Sequence, residues 1–217
     1  MATYVSLSER LQSSVESATV RRLLLAGVDA FWRDGFHASS TRDIAKRAQL
    51  SPAAVYVHFK AKEDLLFEII LHVADYLRER LQEVGKEQGS PTEMLRRLVH
   101  AYVALPARNY KASLVANREF WSLTAAQQKH IVKIRDELEE IVGKCLTEGK
   151  ASGEFSFSNL SITRMAVVSL CRSTLIWYSP RGKLTPEQIA DEYVELVLAM
   201  VGAVQPALSE TPVKRGG

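Results

Sequence analysis

Hydroxyl, imidazole and amine side chains are concentrated in one short stretch of the first third of the chain. They are Thr41, Tyr56, His58, Lys60 and Lys62. Such groups donate hydrogen bonds to phosphate oxygens, which fixes a protein on nucleic acid without reading the bases. These residues therefore predict phosphate binding along a polyanion.

Two short helices are needed to hold these side chains on one surface, and the sequence supplies the signals that start both. Ser40 is predicted to be the N-cap of the first helix, with Asp43 able to reach back to it. Ser51 is predicted to cap the second helix, and Pro52 suits its first position. Only about three residues remain for the turn between them. The pattern predicts a helix-turn-helix that offers its second helix to a DNA major groove.

Base contacts are expected from the start of the second helix, because that end enters the groove. Ser51, Pro52, Ala53 and Ala54 are small and allow a close approach. The alanines offer only methyl contacts to thymine, whereas Ser51 can hydrogen-bond to several bases. Arg42, on the first helix, is the best candidate for a guanine contact or for insertion into the minor groove. DNA shape is expected to supply part of the specificity.

Each of these assignments has a structural alternative that the sequence leaves open. Arg42 and Lys60 can be solvated surface residues. Tyr56 can be a core aromatic, and His58 can pack against the first helix of the domain.

Helical periodicity extends over the rest of the chain, and no alternation typical of strands occurs. We therefore predict an all-α fold. The predicted parts are a flexible arm over residues 1–17, a helix-turn-helix domain over 18–62, a helical effector-binding and dimerisation domain over 63–204, and a disordered tail over 205–217. Within the second domain, the segment 160–178 is apolar almost all round and is predicted to be buried in a core or an interface.

Bulk properties are those of an ordinary soluble protein. The chain has 217 residues, a formal net charge of +3 and 47% hydrophobic residues. Its longest apolar runs are far shorter than the roughly 18 residues of a membrane span, and its start lacks the pattern of a signal peptide. Cys145 and Cys171 sit in apolar helical patterns and are expected to be reduced core residues. We expect a cytoplasmic protein without a membrane partner.

Catalytic and metal-binding motifs are missing from the sequence. The histidines, at positions 37, 58, 72, 100 and 130, show no HExxH or paired helical spacing. There is no GxSxG segment, no Gly-rich phosphate loop and no His/Cys set with metal spacing. We expect no enzyme activity, no cofactor and no metal site.

Residues 19–70 resemble the DNA-binding domain of TetR-family transcriptional regulators. The matching segments are RRLLLAGVDAFWRDGF, STRDIAKRAQLS and VYVHFKAKEDLL. The last segment holds the signature Tyr-x-His-Phe-x-x-Lys-x-x-Leu. The resemblance implies a DNA-binding regulator that acts as a homodimer on a palindromic operator.

Two positions depart from that pattern. Gln49 replaces the glycine of an Ala-Gly-Val turn, which costs on the order of 1 kcal/mol if the backbone there needs a positive φ. Ala61 replaces the usual Ser or Thr cap of the following helix, which weakens that helix end by about 1 kcal/mol.

The resemblance also implies how the second domain works. The helices near 160–178 and 185–204 would form a four-helix dimer interface, and the middle helices would enclose a cavity for a small-molecule effector. The stretch WYSPRGKLTPEQIADEYVELVL is similar to regulators of fatty-acid or sterol acyl-CoA breakdown. The implied effector is an acyl-CoA or a fatty acid.

Candidate effector contacts are aromatic or charged residues within the predicted body. They are Tyr76, Tyr102, Arg118, Trp121, Arg172 and Trp177. For each aromatic residue, ordinary core packing is the alternative. Arg172 is a lone charge in an apolar helix and needs an anionic partner. That partner is either a ligand carboxylate or phosphate, or a glutamate across the dimer interface.

The sequence thus predicts a ligand-responsive transcriptional repressor. The competing hypothesis is a helical sensor or adaptor that acts through protein contacts without specific DNA binding, which the alanine-rich second helix favours mildly. Salt dependence distinguishes the two, because several phosphate contacts make DNA affinity fall steeply with salt.

Overall fold

The computed structural model describes residues 4–203, and within that range it contains α-helices and one short 3-10 helix but no strand. The helices are α1 (Leu7–Ser14), α2 (Ala18–Asp34), α3 (Thr41–Arg47), α4 (Pro52–His58), α5 (Lys62–Val84), α6 (Pro91–Arg108), α7 (Tyr110–Arg118), α8 (Ala125–Ser152), α9 (Leu160–Trp177) and α10 (Pro186–Met200). The 3-10 helix, Phe120–Ser122, lies between α7 and α8. The predicted all-α fold is confirmed.

Helix α1, Leu7–Ser14, lies within the segment 1–17 that was expected to be a flexible arm. Ser6 and Glu9 cap it reciprocally: the Ser6 N–H donates to the Glu9 carboxylate at 2.6 Å, and the Glu9 N–H donates to the Ser6 hydroxyl at 3.2 Å. Leu7 and Leu11 are the buried residues of this helix. The prediction was wrong here because this capping box and the two leucines, one turn apart, carry enough signal for a short docked helix. The predicted disordered tail lies outside the described residues.

Two hydrophobic cores hold the described chain together, and α5 belongs to both. Its first half contributes Leu65 and Ile69 to a core with α2, α3 and α4. Its last turns contribute Leu81 and Val84 to a core built mainly by α6, α8, α9 and α10. The helix that follows the helix-turn-helix is therefore a continuous connection between the two halves of the molecule.

Helices α2 and α5 approach each other closely at Gly27. A Cβ atom on Gly27 would lie 2.9 Å from Cδ1 of Ile69 and 3.2 Å from Cδ2 of Leu65. A larger residue at position 27 would force the buried side chains of Ile69 and Leu65 to shift. The orientation of α5 is thus tied directly to the first helix of the helix-turn-helix domain.

Helices α9 and α10 leave large apolar side chains exposed. Met165 and Ile176 on α9 are 60% and 81% exposed, and Leu196 on α10 is 54% exposed. The opposite face of α9, including Val167 and Cys171, is buried in the body. The segment 160–178 is therefore buried on one side only within a single chain. No helix among residues 4–203 has the length and apolar character to cross a membrane.

Candidate nucleic-acid interface and effector cavity

The exposed residues of α3 and α4 form what we call the reading surface. Both helices begin where their capping residues predict. The Ser40 hydroxyl accepts from the Asp43 N–H at 3.1 Å and donates to the Asp43 carboxylate at 2.5 Å. The Ser51 hydroxyl accepts from the Ala54 N–H at 3.3 Å, and Pro52 is the first residue of α4. Both predicted caps are confirmed. Local sequence therefore fixes where each helix starts.

The turn between α3 and α4 requires the strained conformation that the sequence indicated. Gln49 has φ 54°, a left-handed value that glycine adopts without cost. Arg22, on α2, holds this turn by donating to the backbone oxygens of Ala48 at 2.5 Å and Gln49 at 3.1 Å. The sequence gave no signal for this role of Arg22, because it depends on how α2 packs across the turn.

Tyr56 and Thr41 join the exposed faces of the two helices. The Tyr56 and Thr41 hydroxyl oxygens lie 3.0 Å apart in a hydrogen bond, and Tyr56 is 57% exposed. The alternative that Tyr56 is a core aromatic is therefore wrong. Core packing at this helix falls instead to Val55 and Phe59.

Most of the other predicted DNA contacts share this exposed surface. Arg42, Ser51, Pro52, Ala53, His58 and Lys60 are all exposed. Arg42 forms no ion pair with any residue from 4 to 203, which leaves its guanidinium available to a nucleic acid. The exposure of His58 argues against its packing on the first helix of the domain. The structure adds Val57, which is 77% exposed one turn after Ala53 and was not predicted.

Lys62 does not belong to this surface in the way that was expected. Its ammonium group donates to the backbone oxygens of Phe36 at 2.7 Å and Ser39 at 2.8 Å, and lies 4.3 Å from the centre of the Phe36 ring. Two of its three donors are thus used inside the protein. The structure assigns Lys62 to fixing the loop before α3 against the start of α5.

The start of α5 lacks a side-chain cap, as Ala61 implied. The Ala61 N–H donates to the Asp64 carboxylate at 3.1 Å, but no side chain accepts from the first turn of the helix. Only half of a capping box is present. This uncapped end stands between the reading surface and the long connecting helix.

A cavity of about 110 Å³ lies inside the second half of the molecule. Helices α5 to α9 supply its walls, and Leu7 of α1 closes one side. Three of the predicted effector contacts, Tyr76, Tyr102 and Arg172, line it.

Burial raises the pKa of Tyr102 to about 12, so its hydroxyl keeps its proton at physiological pH. Burial likewise raises the pKa of the lining Cys171 thiol to about 12, which leaves that cysteine unreactive.

Arg172 has its acidic partner within the same chain. Its guanidinium lies 3.7 Å from a carboxylate oxygen of Glu139 on α8, and its side chain is 41% exposed. Glu139 thus supplies the anionic partner that the sequence required, and no glutamate from a second subunit is needed for it. A second cationic residue of the cavity, Arg135, was missed, because the polar sequence around it on α8 reads as a solvated face.

The other three predicted effector contacts lie away from the cavity. Arg118 donates to the Glu119 carboxylate at 2.9 Å and to the Phe31 backbone oxygen, which ties α7 to α2. Trp121 is 79% exposed on the 3-10 helix. Trp177 is 53% exposed at the end of α9, where its indole N–H donates to Tyr193 at 3.0 Å. These expectations failed because the sequence shows that a residue is charged or aromatic, but it does not show towards which neighbouring helices the side chain is directed.

Known proteins resemble both halves of this chain. Residues 23–69 match the family model of bacterial regulatory proteins of the tetR family, and residues 88–201 match that of the tetracyclin repressor-like C-terminal domain. The HTH-type transcriptional repressor KstR2 of Mycolicibacterium smegmatis is 28% identical over 178 residues, which cover 81% of this chain and 87% of the relative. The fatty acid metabolism regulator protein of Bacillus subtilis is 28% identical over 133 residues, covering 61% of this chain and 69% of the relative.

A solved structure extends the likeness to the fold. The crystal structure of a bacterial regulatory protein in the tetR family from Rhodococcus RHA1 has a TM-score of 0.82 at 29% identity, covering 87% of this chain and 100% of that one. The relatives are regulators of transcription and not enzymes. With one family model on the helix-turn-helix and a second over more than half of the chain, this protein belongs to the TetR family of transcriptional regulators.

Proposed function

We propose that this protein is a ligand-responsive repressor that binds a palindromic operator as a homodimer and is released by a small-molecule effector. The observation that carries the proposal is the course of α5. This helix starts at Lys62, directly after the reading surface, and its residues Ile70, Val73 and Tyr76 form one wall of the cavity. A ligand in the cavity therefore acts on the element that orients the reading surface.

Donors on α3, on α4 and in the loop after α4 support DNA binding, and all of them except the half-buried Thr41 are exposed. Thr41, Tyr56, His58 and Lys60 are the proposed phosphate contacts, and Arg42 and the start of α4 are the proposed base contacts. In a dimer, two such surfaces would enter successive major grooves about 34 Å apart.

Exposed apolar residues on α9 and α10 support the homodimer. Met165, Ile176 and Leu196 are large apolar side chains that stay exposed to solvent on these two helices, and contiguous apolar surface of this kind marks protein contacts. A second copy covering these faces would remove that surface from water, at about 25 cal/mol for each Å² of apolar area.

Effector binding would work by shifting a population. A ligand releases DNA only to the extent that it binds the DNA-incompetent arrangement more tightly than the competent one. The name of the Bacillus subtilis relative and the C-terminal stretch at 177–198 support a fatty acid or an acyl-CoA as the class of effector.

Footprinting on DNA that flanks the protein's own gene tests the proposal. We expect protection of a palindrome, with an affinity that falls steeply as salt is raised. Absence of any protected palindrome at low salt would contradict the proposal. Protein-protein capture with no salt-dependent DNA binding would instead favour the sensor or adaptor hypothesis.

A further inference from the structure

The cavity carries an excess of positive charge. Among the described residues that line it, the charged ones are Arg135 and Arg172. Glu139 lies 3.7 Å from Arg172 and offsets one of the two charges. One positive charge therefore remains in surroundings that are otherwise mainly apolar, and an uncompensated charge in such a place is costly.

Arg135 is the residue without an anionic partner. It forms no ion pair or side-chain hydrogen bond with any residue from 4 to 203, and its guanidinium carbon lies 4.2 Å from the centre of the Phe120 ring. Burial, with Arg172 nearby, lowers the pKa of Arg135. The ring orients the guanidinium, but it does not satisfy the five N–H donors.

Two hydroxyl groups in the same cavity also lack partners. Ser113 is only 3% exposed, and its hydroxyl oxygen is buried with no hydrogen bond among the described residues. Tyr102 is 4% exposed, and its hydroxyl forms no hydrogen bond with residues 4–203. The Ser113 oxygen is closed off from the cavity, whereas the unpaired Tyr102 hydroxyl lies on a residue that lines it and can meet a polar group from outside the chain.

We propose that the cavity binds the carboxylate of a small monocarboxylic acid, with Arg135 and Arg172 pairing with the charge and Tyr102 donating a hydrogen bond to it. The proposal rests on the ligand-responsive function proposed above and names its ligand class. The apolar part of the acid would contact the Leu and Ile side chains of α5, α6 and α8, for example Ile70, Leu105 and Leu138.

Charge and size favour a free acid over a thioester. The excess of one positive charge is matched by one carboxylate, whereas the acyl end of a thioester is neutral. The enclosed volume of about 110 Å³ is below the roughly 300–1,000 Å³ of sites for drug-sized ligands, which suits a small acid.

Calorimetric titration of the wild-type protein tests this proposal first. The ligands are butanoate, hexanoate and octanoate, each compared with its methyl ester, which keeps the chain and removes the charge. We expect at least one acid to bind at least about tenfold more tightly than its ester, as loss of a charge-assisted pair implies. Equal binding of acid and ester, or binding of none of the three acids, would overturn the proposal.

Substitutions then test whether Arg135 is the residue that pairs with the ligand carboxylate. Arg135→Gln should weaken binding of the preferred acid at least about tenfold and leave ester binding unchanged. Lys133→Gln is the matched control, since it removes one cation from an exposed position on the same helix. If Arg135→Gln binds the acid as tightly as the control does, Arg135 is not the carboxylate site. The acid-against-ester comparison in the wild type remains decisive if Arg135→Gln does not fold.

Failure of this proposal is distinguishable from failure of the repressor function. Footprinting of the wild type without any ligand reports the DNA activity alone. Operator binding with no preference for acids over esters would refute the carboxylate site and leave the regulator intact. Acid binding by a protein that protects no DNA would support the site and refute the repressor.

Discussion

The backbone N–H of Val5 donates to the hydroxyl of Tyr76 at 2.9 Å, which ties the segment before α1 to the middle of α5. Tyr76 also lines the cavity, and Leu7 forms part of the same wall. Arg10 extends the connection by pairing with Glu79 at 2.5 Å. The N-terminal segment is therefore a component of the cavity and of its link to the helix-turn-helix domain.

Replacement of Leu11 by alanine tests the docking of α1. Leu11 is 1% exposed, so Leu11→Ala should lower the free energy of unfolding by about 2–5 kcal/mol, from lost burial and the cavity left behind. Urea unfolding followed by circular dichroism measures this. Ser13→Ala, at an exposed position of the same helix, should change stability by no more than about 0.5 kcal/mol. A Leu11→Ala effect as small as that of the control would show that α1 is not packed against the rest of the protein.

Glycine substitutions at Gln49 and at Ala48 should change the free energy of unfolding in opposite directions. Gln49→Gly relieves a left-handed conformation and should raise the free energy of unfolding by about 0.5–1 kcal/mol. Ala48→Gly, at the neighbouring residue with φ −74°, should lower it by about 1–2 kcal/mol, because glycine adds freedom to the unfolded chain and removes a buried methyl group. Paired urea titrations measure both. A loss of stability in Gln49→Gly would show that the turn carries no relievable strain.

Substitutions of Lys60 and Lys62 should distinguish a lysine that contacts DNA phosphate from a lysine that stabilises the fold. Exposed Lys60 is free to release a counterion on DNA, so Lys60→Gln should reduce the slope of log affinity against log salt by about 0.9 for each subunit bound. Lys62→Gln should leave that slope unchanged. It should instead lower the free energy of unfolding by about 1–3 kcal/mol, because the backbone oxygens of Phe36 and Ser39 lose a charged donor that a shorter, neutral side chain does not replace.

Fluorescence anisotropy over a salt series, with urea unfolding of the same samples, makes this comparison. The assignment of Lys62 is wrong if its variant lowers the salt slope as much as the Lys60 variant does. Lys60 is an ordinary solvated lysine if its variant changes neither the slope nor the affinity.

Met165 is the best position at which to break the proposed dimer. It is 60% exposed on α9, and Met165→Arg would place a charge in an apolar interface. We expect the dimer dissociation constant to rise at least about 100-fold, equivalent to roughly 3 kcal/mol. Val132→Arg is the control, since it makes a comparable change at a 42% exposed apolar residue on α8. Sedimentation that shows a dimer of Met165→Arg as tight as the control's would exclude this face of α9.

Sequence by itself determined the helix boundaries around the reading surface. The Ser40/Asp43 and Ser51/Pro52 signals are local, because a capping side chain contacts a backbone group only three residues away. The positive φ of Gln49 was expected from the family resemblance, because Gln49 stands where the pattern has a glycine. For α1, the Ser6/Glu9 signal was equally local and was overlooked.

Only the tertiary structure decided which polar residues meet at a distance. Lys62 turned inward because the loop carbonyls of Phe36 and Ser39 approach it, and no pattern near position 62 reports that approach. Trp121 and Trp177 point away from the cavity, whereas Arg135 lines it beside Arg172. Helical periodicity gives each helix an apolar face, but the packing of α5 to α9 determines which residues at the edge of that face enclose a common space.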